Sequence, residues 1–392
     1  MPVVASIRVT LPVTALAVVL AGCGKPPPYP ADLTFPQRED RLVLRAPTAV
    51  PERTGEPGKL DEELAALDAR GGRTADPANA PADHRFALDR CLVDVFGSPA
   101  APTLAGGKFD VPFDKLGVST DQLAEGGRLY RRHCLQCHGL AGDGRGPTGQ
   151  WVYPHPRDFR RGAFKFVTTG DGGKPRHADL HRVVREGLKG TAMPAFGLLP
   201  DVQREQVVAY VIYLSVRGQV EFQTLAAMLT EADGAGVDGD SAGFARARLG
   251  SIIRDWERAA SAPSGPPVPP WPDDDARQAT SYFDAVRRGY ELFATKGAAD
   301  CATCHEDFGR KAGHRYDVWG TVVRPADLAR AGYKGGDQPE DLFRRVRDGI
   351  QPSGMPSHPA LTDAQTWDIV RFVRALPYPR ELPPDVRAKV YP

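Results

Sequence analysis

Two short stretches of the same type decide the fold of this chain of 392 residues. Residues 134–138 are Cys-Leu-Gln-Cys-His and residues 301–305 are Cys-Ala-Thr-Cys-His. Cys-x-x-Cys-His is the signature of covalent haem attachment, because two thiols one helical turn apart can add to the two vinyl groups while the adjacent imidazole coordinates iron. A redox-active cysteine pair would not need the histidine, and half of a zinc site would need further Cys or His residues at paired spacing.

A methionine follows each pentapeptide at a similar distance. Met193 lies 55 residues after His138 and Met355 lies 50 residues after His305, and each precedes a proline. A thioether on the second face of iron raises the reduction potential, so both methionines are candidate axial ligands, although core packing is their simpler role. The matched Met-Pro placement favours them over the histidines of the same regions, which are His155, His177, His181, His314 and His358.

The repeat extends well beyond these residues. Asp-Leu, Gly-x5-Met-Pro and a set of apolar positions recur between residues 179–214 and 341–376 at a constant offset of 162. Upstream, Gly-x-x-Leu-aromatic recurs at an offset of 163. Such internal duplication indicates two copies of one structural unit. We call residues 119–219 the first module and residues 276–377 the second module.

Each module resembles a class I cytochrome c domain. The resemblance rests on Gly-x-x-Leu-aromatic, Cys-x-x-Cys-His, Gly-x5-Met-Pro and a closing amphipathic helix, and it covers roughly half of the chain. It implies an all-α fold with one covalent haem c in each module, two in total. The implied haem-binding residues are Cys134, Cys137, Cys301 and Cys304 as thioethers and His138, Met193, His305 and Met355 as iron ligands. In this family a proline carbonyl orients the proximal imidazole, and the candidates are Pro156 and Pro325.

The closing helix of each module can be placed from its own start signals. In the first module it is predicted to begin at Asp201. In the second module Thr362 is the predicted N-cap, with Gln365 at the capping-box position. Apolar residues then recur at helical spacing in both copies, as expected for a helix that packs against the core.

The N-terminus is typical of an export signal. Arg8 precedes an apolar run too short for a comfortable membrane span, and Leu-Ala-Gly-Cys follows at residues 20–23. This ending resembles a bacterial lipobox, which makes residues 1–22 a lipoprotein signal peptide and Cys23 the lipidated residue. An ordinary signal peptide is the alternative. The expected location is the periplasmic side of a bacterial membrane, held by the lipid anchor.

The other segments carry weaker signals. They are predicted to be an N-terminal tether and unassigned region (23–118), a helical and then Pro-rich linker (220–275) and a C-terminal tail (378–392). A short helical pattern covers residues 59–70, and residues 92–96 are a possible strand. The linker holds helical patterns around residues 221–229 and 244–259. Cys91 is predicted to be a buried free thiol.

Charge excludes one class of partner and indicates another. With 50 Lys and Arg against 49 Asp and Glu, the net charge is +1, without the basic excess of a nucleic-acid-binding protein. The first module carries 15 basic and 9 acidic residues, whereas residues 220–275 carry 4 and 10. Because surface fields act on association rates, the basic first module favours an acidic redox partner.

Together these features predict a membrane-anchored dihaem cytochrome c that passes electrons between redox proteins of a respiratory chain and is not itself an enzyme. His/Met ligation would leave no open position on iron, so no small-molecule substrate is expected. A dihaem peroxidase is the alternative from another class, but it needs one iron that can open to peroxide. A third hypothesis is a cytochrome subunit of a dehydrogenase or terminal oxidase complex.

Overall fold

The computed structural model describes residues 29–49, 51, 56, 58–104, 113–170, 173–230, 240–262, 280–295, 297 and 299–392. The predicted signal peptide, Cys23 and the Pro-rich part of the linker lie outside the described residues. The described chain is mostly helical, which confirms the all-α prediction. In chain order the elements are β1 (Leu42–Arg45), α1 (Leu60–Ala65), β2 (Arg73–Ala75), α2 (Ala82–Phe96), α3 (Thr120–His133), α4 (Leu135–His138), α5 (His177–Glu186), α6 (Asp201–Thr230), α7 (Ser241–Ser261), α8 (Thr280–Ala294), α9 (Cys301–Cys304), β3 (Arg315–Tyr316), β4 (Val322–Val323), α10 (Pro339–Asp348), α11 (Asp363–Ala375) and α12 (Pro384–Val390).

The two modules are built around the same helix crossing. In the first module α3 packs on α6, and in the second α8 packs on α11. A Cβ on Gly126 would stand 2.1 Å from the carbonyl oxygen of Gln206, and one on Gly289 would stand 2.0 Å from that of Asp368. Only glycine permits so close an approach of two helix backbones. The first glycine of the repeated motif therefore sets the crossing point in both copies.

The helices begin where their caps require. Helix α6 starts at Asp201 as predicted. Helix α11 starts after a capping box in which the Gln365 N–H donates to Thr362 and the Gln365 side chain accepts from the Thr362 N–H, also as predicted. Helix α3 has the same kind of box between Ser119 and Gln122.

Helix α6 does not stop at the edge of the first module. It continues past residue 219 to Thr230, so the helical pattern at residues 221–229 is the end of this helix and not a separate element. The pattern at 244–259 corresponds to α7, which packs on both α6 and α2. The part of the predicted linker described here is thus joined rigidly to the first module.

The predicted strand at residues 92–96 is wrong, because these residues form the last turns of α2. In a longer window the apolar residues recur at helical spacing, with Leu88, Leu92 and Val95 buried on one face. Cys91 is buried on the same helix, as predicted, with its Sγ 3.8 Å from the Ala242 carbonyl oxygen. Burial raises the pKa of this thiol.

The N-terminal region is folded from residue 29 over most of its described length. Strand β1 pairs antiparallel with β2. Tyr213 on α6 donates a 2.6 Å hydrogen bond to the carbonyl oxygen of Phe96, the last residue of α2. A separate apolar cluster joins Val43 and Leu67 to Tyr316 and Val322 of the second module. The region therefore packs against both modules.

The C-terminal segment also packs on the core. Helix α12 buries Val386 and Val390 in the apolar core of the second module. Arg310 donates a 2.8 Å hydrogen bond to the carbonyl oxygen of Val390. Across the described ranges no helix combines the length and apolarity that membrane crossing requires.

Candidate haem sites

Each Cys-x-x-Cys-His stretch forms a single helical turn. The His138 N–H donates to the Cys134 carbonyl oxygen at 2.9 Å, and the His305 N–H donates to that of Cys301 at 2.8 Å. One turn therefore carries both thiols and the imidazole on adjacent positions of the same short helix. This is the arrangement that covalent haem attachment needs.

Both imidazoles are held through the same ring nitrogen. His138 Nδ1 lies 3.2 Å from the Arg157 carbonyl oxygen, and His305 Nδ1 lies 3.0 Å from that of Ala326. Such a bond makes Nδ1 the donor and leaves Nε2 as the nitrogen that can bind iron. Burial lowers the pKa of His138 to about 4 and also lowers the pKa of His305, so both rings are neutral near pH 7, as a metal ligand must be.

The predicted acceptors were each wrong by one residue. We expected the carbonyls of Pro156 and Pro325, but the next residue along the chain supplies the oxygen in both modules. In the first module the Pro156 carbonyl oxygen is directed instead at Gly144, where an added Cβ would be 2.5 Å away. A local turn, which the sequence motif does not specify, decides which of two neighbouring carbonyls turns towards the histidine.

The first thiol of each motif does not have the character of a redox-active cysteine. Burial raises the pKa of Cys134 to about 12 and that of Cys301 to about 12, whereas reactive cysteine pairs have lowered pKa values. Within the described residues no group of three or more His, Cys, Asp or Glu side chains is arranged to hold a metal ion. The residues present therefore fit thioether attachment to haem better than either alternative.

The Met-Pro loops fold back on the ends of two equivalent helices. Helix α5 is followed by the C-cap Gly187 and α10 by the C-cap Gly349, with φ of 67° and 72°. A Cβ on Gly187 would lie 2.7 Å from the Met193 carbonyl oxygen, and one on Gly349 would lie 2.6 Å from that of Met355. Glycine is thus required twice, for the left-handed backbone and for the close loop. This explains the repeated Gly-x5-Met-Pro spacing.

The competing histidines of the first module have other surroundings. His177 Nδ1 lies 3.1 Å from Glu205 of α6, and His181 Nε2 lies 3.5 Å from the same carboxylate. His155 precedes Pro156 and Arg157 on the segment whose carbonyl binds His138, which is the proximal side of the site. These positions favour Met193 as the distal residue.

Sequence reasoning missed the contact between the modules. A turn of the second module, residues 317–321, packs on the segment that follows Pro156 in the first. Trp319 Nε1 donates a 3.1 Å hydrogen bond to the Asp158 carbonyl oxygen, and the Arg157 guanidinium carbon lies 3.5 Å from the centre of the Trp319 ring. Comparison of the two copies gave no signal for this turn. The sequence signal for this contact is Trp319 itself, which lies between the Cys-x-x-Cys-His and Met-Pro motifs of the second module.

One protein-family model matches parts of both modules. The model of the family described as cytochrome C oxidase, cbb3-type, subunit III matches residues 121–211 and 284–373. No curated protein matches the chain. A chain of the Kuenenia stuttgartiensis reducing HAO-like protein complex aligns over 64% of this chain and 95% of its own, with 24% identity and a TM-score of 0.47.

The two family matches lie within the two modules. The chain therefore contains two cytochrome c domains in tandem, which bind haem c covalently and make it an electron-transfer protein.

Proposed function

We propose that this chain is a membrane-anchored dihaem cytochrome c that passes electrons between redox proteins of a respiratory chain. The observation that carries the proposal is the duplication of the whole ligand environment. In each module a backbone carbonyl fixes an imidazole through Nδ1, and a Met-Pro loop folds against a glycine helix end. Bound haem supplies one-electron chemistry at iron, and the chain supplies ligands, burial and a docking surface.

The residues take equivalent roles in the two modules. One haem is assigned to each, with the four motif cysteines as thioether links. The iron ligands are His138 and Met193 in the first module and His305 and Met355 in the second. This ligand set leaves no open coordination position, which favours electron transfer over chemistry on a substrate.

Aromatic packing keeps the proximal ligands in place. The Phe159 ring stacks on the His138 imidazole with 4.7 Å between centres, and Phe293 lies 6.4 Å from His305. The Tyr130 hydroxyl donates a 2.8 Å hydrogen bond to the Gly139 carbonyl oxygen, directly after His138. A ligand held by its neighbours keeps its orientation in both oxidation states, which suits a carrier.

The first module offers the better docking surface for a redox partner. Leu198 is fully exposed five residues after Met193, and Val202 beside it is also exposed. Their counterparts in the second module are the small residues Ala360 and Ala364. Apolar side chains beside a ligand loop, in a module with a basic excess, suit a partner with an acidic rim around an apolar centre.

Anchoring at the membrane follows from the N-terminal motif. Acylation of Cys23 would hold the chain on the periplasmic side of a bacterial membrane. We expect the full-length chain to partition into detergent and a Cys23→Ser variant to remain in the aqueous phase. A Cys91→Ala variant is the matched control and should still partition into detergent. Mass spectrometry of the N-terminal peptide reads the lipid directly, and an unmodified Cys23 contradicts the anchor.

A spectroscopic redox titration of the purified chain tests the function. Wild type should contain two haems per chain, both low-spin, with the sulfur-to-iron charge-transfer band of methionine ligation. Met193→Ala and Met355→Ala should each remove half of that band and lower one potential. Met228→Leu, a change of the buried methionine on α6, should alter neither.

The same sample discriminates the alternatives. A high-spin haem in wild type, together with rapid reaction of the reduced protein with peroxide, supports a dihaem peroxidase and contradicts the proposal. Stable co-purification with a catalytic partner from native membranes identifies a cytochrome subunit of a dehydrogenase or terminal oxidase complex. A chain that purifies alone and exchanges electrons with two different proteins is a free shuttle.

A further inference from the structure

The turn at residues 317–321 is closed by hydrogen bonds of Asp317. Asp317 Oδ1 accepts hydrogen bonds from the Trp319 N–H at 3.0 Å and the Thr321 N–H at 3.1 Å. The Asp317 N–H in turn donates to the Thr321 carbonyl oxygen at 2.9 Å. Asp317 is 2% exposed, and β3 and β4 flank the turn on both sides. The side chain and backbone of Asp317 thus tie the two ends of the turn together.

One side of the turn holds the peptide that serves His138. The Trp319 ring lies against the Arg157 guanidinium, and its Nε1–H binds the Asp158 carbonyl oxygen. Asp317 Oδ2 lies 3.2 Å from Lys165 Nζ and 3.8 Å from Arg157 Nη1, which adds charge pairing to the same contact. The carbonyl of Arg157, between these contacts, accepts the hydrogen bond from His138 Nδ1.

The other side of the turn contacts the distal loop of the second module. The Val318 N–H donates a 3.0 Å hydrogen bond to the Pro352 carbonyl oxygen. Pro352 lies in the short 3-10 turn Gln351–Ser353, just before Met355, and the Ile350 N–H donates to the Met355 carbonyl oxygen at 2.9 Å. A single turn thus contacts the proximal side of one site and the distal side of the other.

The two proximal bonds differ in this respect. The carbonyl that serves His305 belongs to Ala326, whose methyl side chain cannot form the ion pair and ring contact that Arg157 forms. The proximal side of the first site therefore depends on the contact between the modules. The second site is linked to the same turn through the loop that carries Met355.

We propose that Trp319 is a positioning residue that couples the two haem sites across the module interface. The proposal rests on the proposed dihaem function. The hydrogen bond at Nδ1 sets how strongly the imidazole donates electrons to iron, and stronger donation favours the oxidised form. Trp319 holds the acceptor carbonyl in place and so lowers the potential at the first site. Because coupling between two sites is reciprocal, a change at the second site also alters the potential of the first site through the same turn.

The test compares Trp319 variants in redox titrations of the full-length protein. Trp319→Leu removes both the ring contact and the Nε1–H, and Trp319→Phe removes the N–H but keeps a smaller aromatic ring at this position. We expect Trp319→Leu to raise the potential of the first haem, by up to about 59 mV for a tenfold shift of the oxidised-to-reduced ratio in a one-electron couple. Trp319→Phe should give a smaller shift in the same direction. Trp151→Phe, at a tryptophan that is 64% exposed, is the control.

The outcomes separate this inference from the proposed function. Unchanged potentials in folded Trp319→Leu and Trp319→Phe overturn the positioning role, whereas equal shifts in all three variants show a nonspecific effect and overturn it too. If Trp319→Leu fails to fold, the Phe variant alone decides. The Met193 and Met355 variants assign each potential to its site. Wild type with fewer than two haems or without methionine ligation contradicts the proposed function before any variant is compared.

Discussion

Arg160 and Asp40 are joined by two parallel hydrogen bonds of 2.8 Å, although 120 residues separate them in the chain. Arg160 Nε also donates to Asp158 at 3.0 Å, and Arg38 Nη2 lies 2.9 Å from Asp40. Both arginine side chains are 3% exposed. The N-terminal region is therefore fixed to the first module by a buried network of two arginines and two aspartates.

Replacement of Asp40 by asparagine should destabilise the protein strongly. The change removes the carboxylate that both buried guanidinium groups share, and removal of one partner from a buried ion pair typically costs about 3–5 kcal/mol. Urea unfolding of Asp40→Asn measures the loss. Asp32→Asn, at an exposed site in the same segment, is the control and should stay within about 0.5 kcal/mol of wild type.

The carboxylate of Asp40 should also dominate the loss of stability below about pH 4. Burial alone would raise its pKa, but Arg160 and Arg38 outweigh burial and hold the pKa of Asp40 well below its usual range. A lowered folded-state pKa gives stability that is complete above the unfolded value, about 3.9, and is lost as the pH falls through that value and below. The difference between wild type and Asp40→Asn should therefore narrow as the pH falls below about 4. A constant difference from pH 6 to pH 3 contradicts this assignment.

The helix crossings should not tolerate a methyl group. In Gly126→Ala and Gly289→Ala the new Cβ meets a backbone oxygen, so the two helices must move apart, at a cost of about 1–3 kcal/mol or more. Gly250→Ala on α7 is the matched control, since the nearest atom is a flexible Arg254 nitrogen at 3.5 Å. That variant should gain up to about 1 kcal/mol from helix propensity. Thermal unfolding and haem content per chain measure both effects.

The helix-end glycines should control methionine ligation. Gly187→Ala places a Cβ against the Met193 loop and should weaken or abolish its charge-transfer band. Gly190→Ala is a stringent control, because φ there is also left-handed, at 71°, but nothing lies within 4 Å of an added Cβ. It should cost about 1–2 kcal/mol of backbone strain and keep the band. Loss of the band in both variants would mean that strain, and not contact with the loop, is responsible.

The charge of the first module should act on its electron-transfer rates. Oxidation of the reduced protein by the anion hexacyanoferrate(III) should slow as salt is added, because a positive local field attracts the anion and salt screens it. Oxidation by the cation hexaamminecobalt(III) should become faster under the same conditions. Stopped-flow measurements over a range of ionic strengths provide both rates. Rates that do not respond to salt contradict the basic docking surface.

Local features of the sites were predictable because short motifs encode them. The helical turns at the two Cys-x-x-Cys-His stretches, the cap at Thr362 and the start at Asp201 depend on residues within a few positions of one another. The identity of the carbonyl that binds each histidine was not predictable, since Arg157 and Ala326 owe this role to the backbone path of the preceding turn.

Contacts between residues far apart in the chain could not be predicted from the sequence, for a different reason. The bond between Trp319 and Asp158 joins residues 161 positions apart, and neither residue has a counterpart that repeats the contact. The pairing of Asp40 with Arg160 likewise depends on the completed fold. Helix α2 was mistaken in part for a strand because a five-residue window cannot separate the two periodicities.

Helix α6 also sets the order in which the chain can be assembled. Phe96 leaves the ribosome well before Tyr213, its partner on α6, and Arg70 well before Tyr316 of the second module, whose hydroxyl lies 2.6 Å away. These two contacts can form only after the later partner of each has been synthesised. The layout of the chain thus makes these contacts of the N-terminal region dependent on residues that are synthesised after it.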